Sequence, residues 1–131
     1  MKALDTNILA RYLRDDNPMQ SRRAAHFIQR AVNRNEPLYL NHIVLCELVW
    51  ILSAVYEHRK DEIVTMIEAV LLTGQFQFED KSSIESALED YKTSKADFPD
   101  CLIGRRSRAA GSESTLTFDR SLKNIETFEV V

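Results

Sequence analysis

Four acids stand where strands would end or helices would begin. They are Asp5 in L-D-T-N-I-L, Glu47 in V-L-C-E-L-V-W, Asp100 in A-D-F-P-D-C-L-I-G and Asp119 in T-L-T-F-D-R-S-L. In an open α/β sheet, ligands bind beyond the carboxyl ends of the strands, so acids far apart in sequence can meet at one rim. Four carboxylates in one place repel each other unless a divalent cation sits among them. Carboxylate and water oxygens are the donors that Mg²⁺ or Mn²⁺ prefers. Such an ion lowers the pKa of its water and neutralises charge building on a phosphoryl group. The pattern points to metal-assisted phosphodiester hydrolysis, which requires no histidine base.

Each acid also has a structural reading. Asp5 and Asp119 suit the N-cap position, where a carboxylate accepts a backbone N–H. Asp100 falls in the first turn of its helix and complements the dipole. Asp97, three residues earlier, is the better N-cap candidate there, with contact to metal or substrate as its second role. Glu47 shares the stripe of Val44 and Ile51, so it is expected to face inward or towards a cleft. An isolated buried carboxylate is costly unless an Arg or a metal ion compensates it, and the metal is the favoured partner. Thr6, Asn7 and Thr117 are placed to orient a carboxylate or a metal-bound water, and equally to cap or to stabilise turns. Arg105, Arg106 and Arg108, with Arg11 and Arg14, either hold phosphates or form solvated helix faces. Gly104 lets a substrate backbone or a neighbouring helix approach.

The histidines do not support a rival scheme. His26 and His58 lie on polar helix faces, and His42 follows a strand as a turn residue or a substrate contact. There is no Gly-rich phosphate loop, no Cys/His zinc spacing and no persuasive Ser-His-Asp order.

The elements that must position these residues follow from periodicity. Lys2–Leu4, Pro37–Leu40, Gln75–Phe78, Ser114–Thr117 and Phe128–Val131 read as strands. A helix over Thr6–Leu13 turns Ile8, Leu9, Tyr12 and Leu13 inward. A turn at Asp15–Pro18 leads to a second helix, with Asn17 as N-cap, Pro18 at its first position and a stripe of Ala24, Phe27, Ile28 and Ala31. A third carries Val44, Leu48, Ile51, Leu52 and Val55, and Asp61 opens a fourth. Ser82–Glu85 reads as a capping box for a fifth. The sixth runs from Asp97 to Ala110 and stops at Gly111. Short strands separated by helices imply a parallel sheet covered on both faces.

The 131 residues suit one domain, 1–131. With 44% hydrophobic and 28% charged residues, the chain reads as soluble and globular. No apolar run approaches a membrane span, and the charged start is not that of a signal peptide. Cys46 and Cys101 lack metal-ligand spacing and suit a reducing cytoplasm. The net charge of −3 argues against a generally basic nucleic-acid binder but leaves room for a local basic face.

Together L-D-T-N-I-L, C-E-L-V-W, A-D-F-P-D-C-L-I with R-A-A-G, and T-F-D-R-S-L resemble a PIN-domain protein of the VapC toxin type, over nearly the whole chain. The resemblance implies a three-layer α/β/α sandwich around a central parallel sheet. It implies Mg²⁺- or Mn²⁺-dependent endoribonuclease activity on structured RNA, usually transfer or ribosomal RNA, that inhibits translation. The family's acids map to Asp5, Glu47, Asp100 and Asp119. It also implies a small VapB-like antitoxin and toxin homodimers within a larger complex. The chain departs at Gly104-Arg105-Arg106, where relatives often carry small alanines. Two other classes stay open: a phosphatase or phosphotransferase using Asp5 as nucleophile, and a non-catalytic RNA-binding or scaffold domain.

Overall fold

Short parallel strands are separated by helices, most of them begun by Asp or Asn, and this order sets where the candidate acids stand. The computed structural model describes residues 1–14 and 16–131. The order is β1 (Lys2–Ala3), α1 (Thr6–Leu13), α2 (Pro18–Asn33), β2 (Leu38–Leu40), α3 (His42–Trp50), α4 (Lys60–Leu71), β3 (Phe76–Phe78), α5 (Lys81–Lys92), α6 (Phe98–Ala109), β4 (Thr115–Thr117) and β5 (Phe128–Val130). Met1–Glu79 and Asp80–Val131 form two compact units.

In the first unit β1, β2 and β3 pair in that order, all parallel, with Lys2 opposite Leu38 and Leu38 opposite Phe76. Parallel neighbours need a crossover, and helices supply each one. The strand ends therefore share one edge, from which Asp5, Asn41 and Glu79 lead away. In the second unit β4 and β5 form a separate parallel ladder, Thr115 opposite Phe128. The α/β class expected from the sequence is the one found. Among the described residues its strands bond in two ladders rather than one.

Local chemistry starts the helices. Asn17 accepts from Gln20 N–H with Pro18 behind it, as expected. Asn41 accepts from Val44 N–H at 2.9 Å and starts α3. The turn expected at Asp15–Pro18 falls partly outside the described residues, since Asp15 is not among them. Two other starts differ from expectation. The fourth helix begins at Lys60, where Glu62 reaches back to the Arg59 N–H at 2.8 Å. The fifth begins at Lys81 because Asp80 takes the cap, accepting from the N–H and the hydroxyl of Ser83, so Ser82 has no capping role. Gly111, at φ 102°, closes α6 in the left-handed conformation that glycine tolerates.

The apolar stripes are narrower than the sequence suggests. Leu9, Ala24, Ile28 and Ala31 are buried, whereas Ile8, Tyr12 and Phe27 stand well into solvent. Past α3 the chain makes a π turn over Ile51–Val55, with the Tyr56 N–H bonded back five residues to the Ile51 carbonyl. The wider turn changes the phase of the stripe. Leu52 stays fully buried and Val55 is turned outward. In the second unit α5 packs on α6 through Ile84, Leu88 and Phe98, and the Tyr91 and Phe98 rings meet edge to face at 6.0 Å. Among the described residues no helix is long and apolar enough to cross a membrane.

Candidate active site

Each unit holds two of the four acids. In the first, Asp5 follows β1 and caps α1, its Oδ1 accepting the Thr6 N–H at 2.7 Å. One oxygen is thereby directed, and the residue stays exposed. Capping and ligation are compatible here, because a carboxylate has about four lone-pair sites and the cap uses one. Thr6 itself is buried, and its hydroxyl has no hydrogen-bond partner among the described residues. Asn7 lies beside Asp5, exposed.

Glu47 departs from its expected place. It is exposed, not inward, and among the described residues it makes no ion pair with an arginine. The buried side chains of α3 are Val44, Leu45, Leu48 and Val49. At about 100° per residue, that stripe centres between Leu45 and Leu48, which leaves Glu47 on its flank. Flank exposure removes the burial argument for a metal, but it makes the carboxylate available without desolvation.

In the second unit the charges of Asp97 and Asp119 reach Asp100. Asp100, in the first turn of α6, is half-buried. Burial, and then the negative charges of Asp97 and Asp119, push its carboxyl above the usual carboxylate range. Asp119 follows β4 and caps a 3₁₀ turn over Arg120–Leu122. The hydroxyl and N–H of Ser121 hold its carboxyl below the usual range, and its own N–H donates to Thr117 Oγ1 at 3.0 Å. Thr117 thus fixes the main chain at Asp119 rather than a carboxylate oxygen.

Asp97 occupies the N-cap position of α6 in extended backbone, yet its side chain makes no cap hydrogen bond. Pro99 sits at the second helical position and supplies no N–H, so one of the two usual donors is missing. The carboxylate instead bears on Asp100 and on the Tyr91 hydroxyl, which burial and then Asp97 push up. The capping role expected for Asp97 is therefore not carried by its side chain. Asp97→Ala should lower the melting temperature far less than Asp80→Ala, which removes a working cap and costs about 1 kcal/mol. Asp97→Asn should instead slow the reaction roughly 10- to 100-fold, as for loss of a group that orients ligands. Paired thermal melts and cleavage rates decide it. Equal melting losses for the two alanine variants, with full activity in Asp97→Asn, restore the capping role.

The arginines expected to hold phosphates are already engaged. Arg105 binds Asp90 through Nε and Nη2 at 2.7 and 2.8 Å, and Glu126 through Nη1 at 2.9 Å. Arg106 reaches Asp80 at 2.6 Å, and Arg108 reaches the Glu126 carboxylate at 3.3 Å and its carbonyl at 2.9 Å. In the first unit Arg11 bonds to Asp16, Gln20 and Tyr56, while Arg14 bonds to His58 and stacks over the Tyr56 ring. None of the five is a merely solvated cation. His58, expected in solvent, is half-buried in that network, and His42 is tied through its N–H to Glu79 at 3.1 Å. Burial pushes the Cys46 thiol up to about 11, which keeps it unreactive.

The acids thus fall into two sets. Asp80, Asp90 and Glu126 are neutralised by arginines, whereas Asp97, Asp100 and Asp119 form no ion pair among the described residues. Among the described residues no group of three or more His, Cys, Asp or Glu side chains is close enough together to hold a metal ion. The donor chemistry, carboxylate throughout, fits a hard cation such as Mg²⁺ or Mn²⁺.

Comparison with known proteins places the chain in a family. The sequence pattern of the PIN domain matches residues 2–127. The chain is also similar to a VapC ribonuclease from Aquifex aeolicus (strain VF5), 26% identical over 125 residues that cover 95% of this chain and 92% of that protein. With the family pattern spanning nearly every residue, including all four acids, the chain belongs to the PIN-domain family.

Proposed function

We propose that this chain, acting as one domain over residues 1–131, is a divalent-metal-dependent endoribonuclease of the VapC toxin type. It would cleave structured RNA, transfer or ribosomal, to inhibit translation in the cytoplasm. A small VapB-like antitoxin would neutralise it, within a complex that contains toxin homodimers. The observation that carries the reading is the set of uncompensated carboxylates in the second unit. Asp97 and Asp119 add to the cost of ionising the half-buried Asp100, while nearby arginines neutralise other acids. A protein keeps such an arrangement where charge is to be met by a ligand.

Asp5, Glu47, Asp100 and Asp119 would hold Mg²⁺ or Mn²⁺, with Asp97 supporting Asp100. The ion supplies an activated water and charge neutralisation at the phosphoryl group. The chain's own part is positioning. The Asp5 cap bond aims one carboxylate. Thr117 and Ser121 fix Asp119. The first turn of α6 holds Asp100, and Thr6 and Asn7 flank Asp5.

The test incubates the purified chain with transfer and ribosomal RNA. Cleavage should require Mg²⁺ or Mn²⁺, stop in EDTA, and be lost in Asp5→Asn and in Asp119→Asn. Full activity in EDTA removes the metal from the scheme. Cleavage retained by both variants removes the acids.

A further inference from the structure

We propose that a recess in the second unit binds the phosphodiester backbone of RNA beside Asp119, with Lys95, Arg120 and Lys123 as its phosphate contacts. The proposal rests on the nuclease reading for its ligand, and on the structure for its place. The recess has a volume of about 970 Å³ and lies between the end of α5 and the Arg120–Glu126 segment. Its lining holds five basic and two acidic side chains. Both acids, Asp90 and Glu126, are bound to Arg105 and are already neutralised. Lys92 pairs with Glu89 at 3.0 Å. Lys95, Arg120 and Lys123 are exposed and form no ion pair among the described residues. The recess is therefore positive where it meets solvent, in a chain whose net charge is −3.

Position strengthens the assignment. Arg120 follows Asp119 directly, and the turn that Asp119 caps contributes Arg120 and Ser121 to the lining. A strand with one phosphate at Asp119 has its neighbouring phosphates at the recess. The size suits several nucleotides rather than a single phosphate, and Asn124, Ser94 and Thr93 add uncharged polar groups to the lining. Lysines on exposed stems bind phosphates as point charges and select no sequence. The recess is thus expected to add affinity and not base specificity. It supplies the cationic surface expected of α6, whose arginines are engaged elsewhere.

The experiment measures binding of a fluorescent single-stranded oligoribonucleotide of about 12 nucleotides across a salt series, a length that spans a typical single-strand site. The full chain carries Asp100→Asn so that no cleavage intervenes. Adding Lys95→Gln, Arg120→Gln and Lys123→Gln should weaken binding on the order of 10- to 100-fold at about 0.1 M salt. The log–log salt slope should flatten by roughly 2, at about 0.7 per phosphate contact. Lys95→Arg with Lys123→Arg should retain both. Should the triple variant melt early, the single lysine variants each should still flatten the slope by roughly 0.7. An unchanged slope, while the unaltered chain still cleaves RNA with Mg²⁺, overturns the recess and leaves the nuclease reading intact. If the unaltered chain does not cleave but the slope still depends on these three cations, the recess stands and the nuclease reading falls.

Discussion

Asp100→Asn should silence cleavage and make the metal-free protein harder to unfold near neutral pH. Both effects come from one cause. Asp100 is half-buried against Asp97 and Asp119, with its carboxyl pushed above the usual range. A folded-state pKa raised above the unfolded value contributes stability that is full below the unfolded pKa and is lost as pH rises through the folded pKa. The ionised Asp100 is then a liability in the metal-free fold, and a neutral amide removes it. The same substitution removes an anionic oxygen that a hard cation requires. Losing about 4 kcal/mol of transition-state stabilisation corresponds to roughly a 1000-fold slower reaction. Thermal melts of the metal-free proteins at about pH 4 and about pH 7 should show the variant's advantage growing with pH. Cleavage within tenfold of the unaltered chain, or a variant less stable at both pH values, would refute this account of Asp100.

Such opposed effects separate site acids from structural ones. Arg105 and Asp90 form a bidentate pair with each side chain mostly covered, 20% and 14% exposed. Asp90 raises the Arg105 pKa further, the mark of a pair that the fold itself completes. Asp80 likewise caps α5 and binds Arg106, and the Ser83 hydroxyl first, then its N–H and Arg106, hold its carboxyl below the usual range. Removing either acid should destabilise the fold, whereas removing the charge of Asp100 relieves it. Under the proposed reading, Asp100 and Asp119 answer to ligand chemistry, and Asp80 and Asp90 to packing.

What was legible in the sequence depended on range. The strand and helix order followed from local periodicity, and Asn17-Pro18 declared its helix start outright. Asp80 outcompeted Ser82 as a cap because it finds three donors at once, Ser83 N–H, Ser83 hydroxyl and Arg106, and the last lies 26 residues away. The arginine pairs were hidden for the same reason, with Asp90 15 residues from Arg105 and Glu126 21 residues from it. Glu47 was misjudged inward from Val44 and Ile51 because those two mark one border of the stripe, not its centre. The π turn that swings Val55 outward leaves no mark in a 3.6-residue pattern. The acids themselves were found because each stands beside a strand end or helix start, which is a local feature.

Gly104→Ala should destabilise the second unit and slow cleavage, although alanine is the better helix former by about 1 kcal/mol. Gly104 is buried within α6. A Cβ there would lie 2.7 Å from the Phe128 ring and 3.0 Å from Thr127 Cβ, and would overlap Thr127 Oγ1. Thr127 is almost fully buried, and its carbonyl accepts the Thr115 N–H at 2.8 Å, so it cannot yield without moving the start of β4. Overpacking of this kind costs about 1–3 kcal/mol, enough to reverse the propensity gain. The sequence left two roles open for Gly104, substrate approach or close packing, and the structure shows the second. Packing here still bears on chemistry. α6 carries Asp100, and β4, held to β5, leads to Asp119. Pushing α6 off β5 would move one acid relative to the other, and a displacement of about 1 Å can cost on the order of 100-fold in rate. Thr127→Ala removes the overlapping hydroxyl, so Gly104→Ala should cost less stability in that background than alone. A double-mutant cycle by thermal melting, with cleavage rates on all four proteins, tests the coupling. Additive effects, or an alanine variant as stable and active as the unaltered chain, would return Gly104 to an incidental position. A coupled loss would identify the contact of Gly104 with Thr127 as what sets the spacing of Asp100 and Asp119.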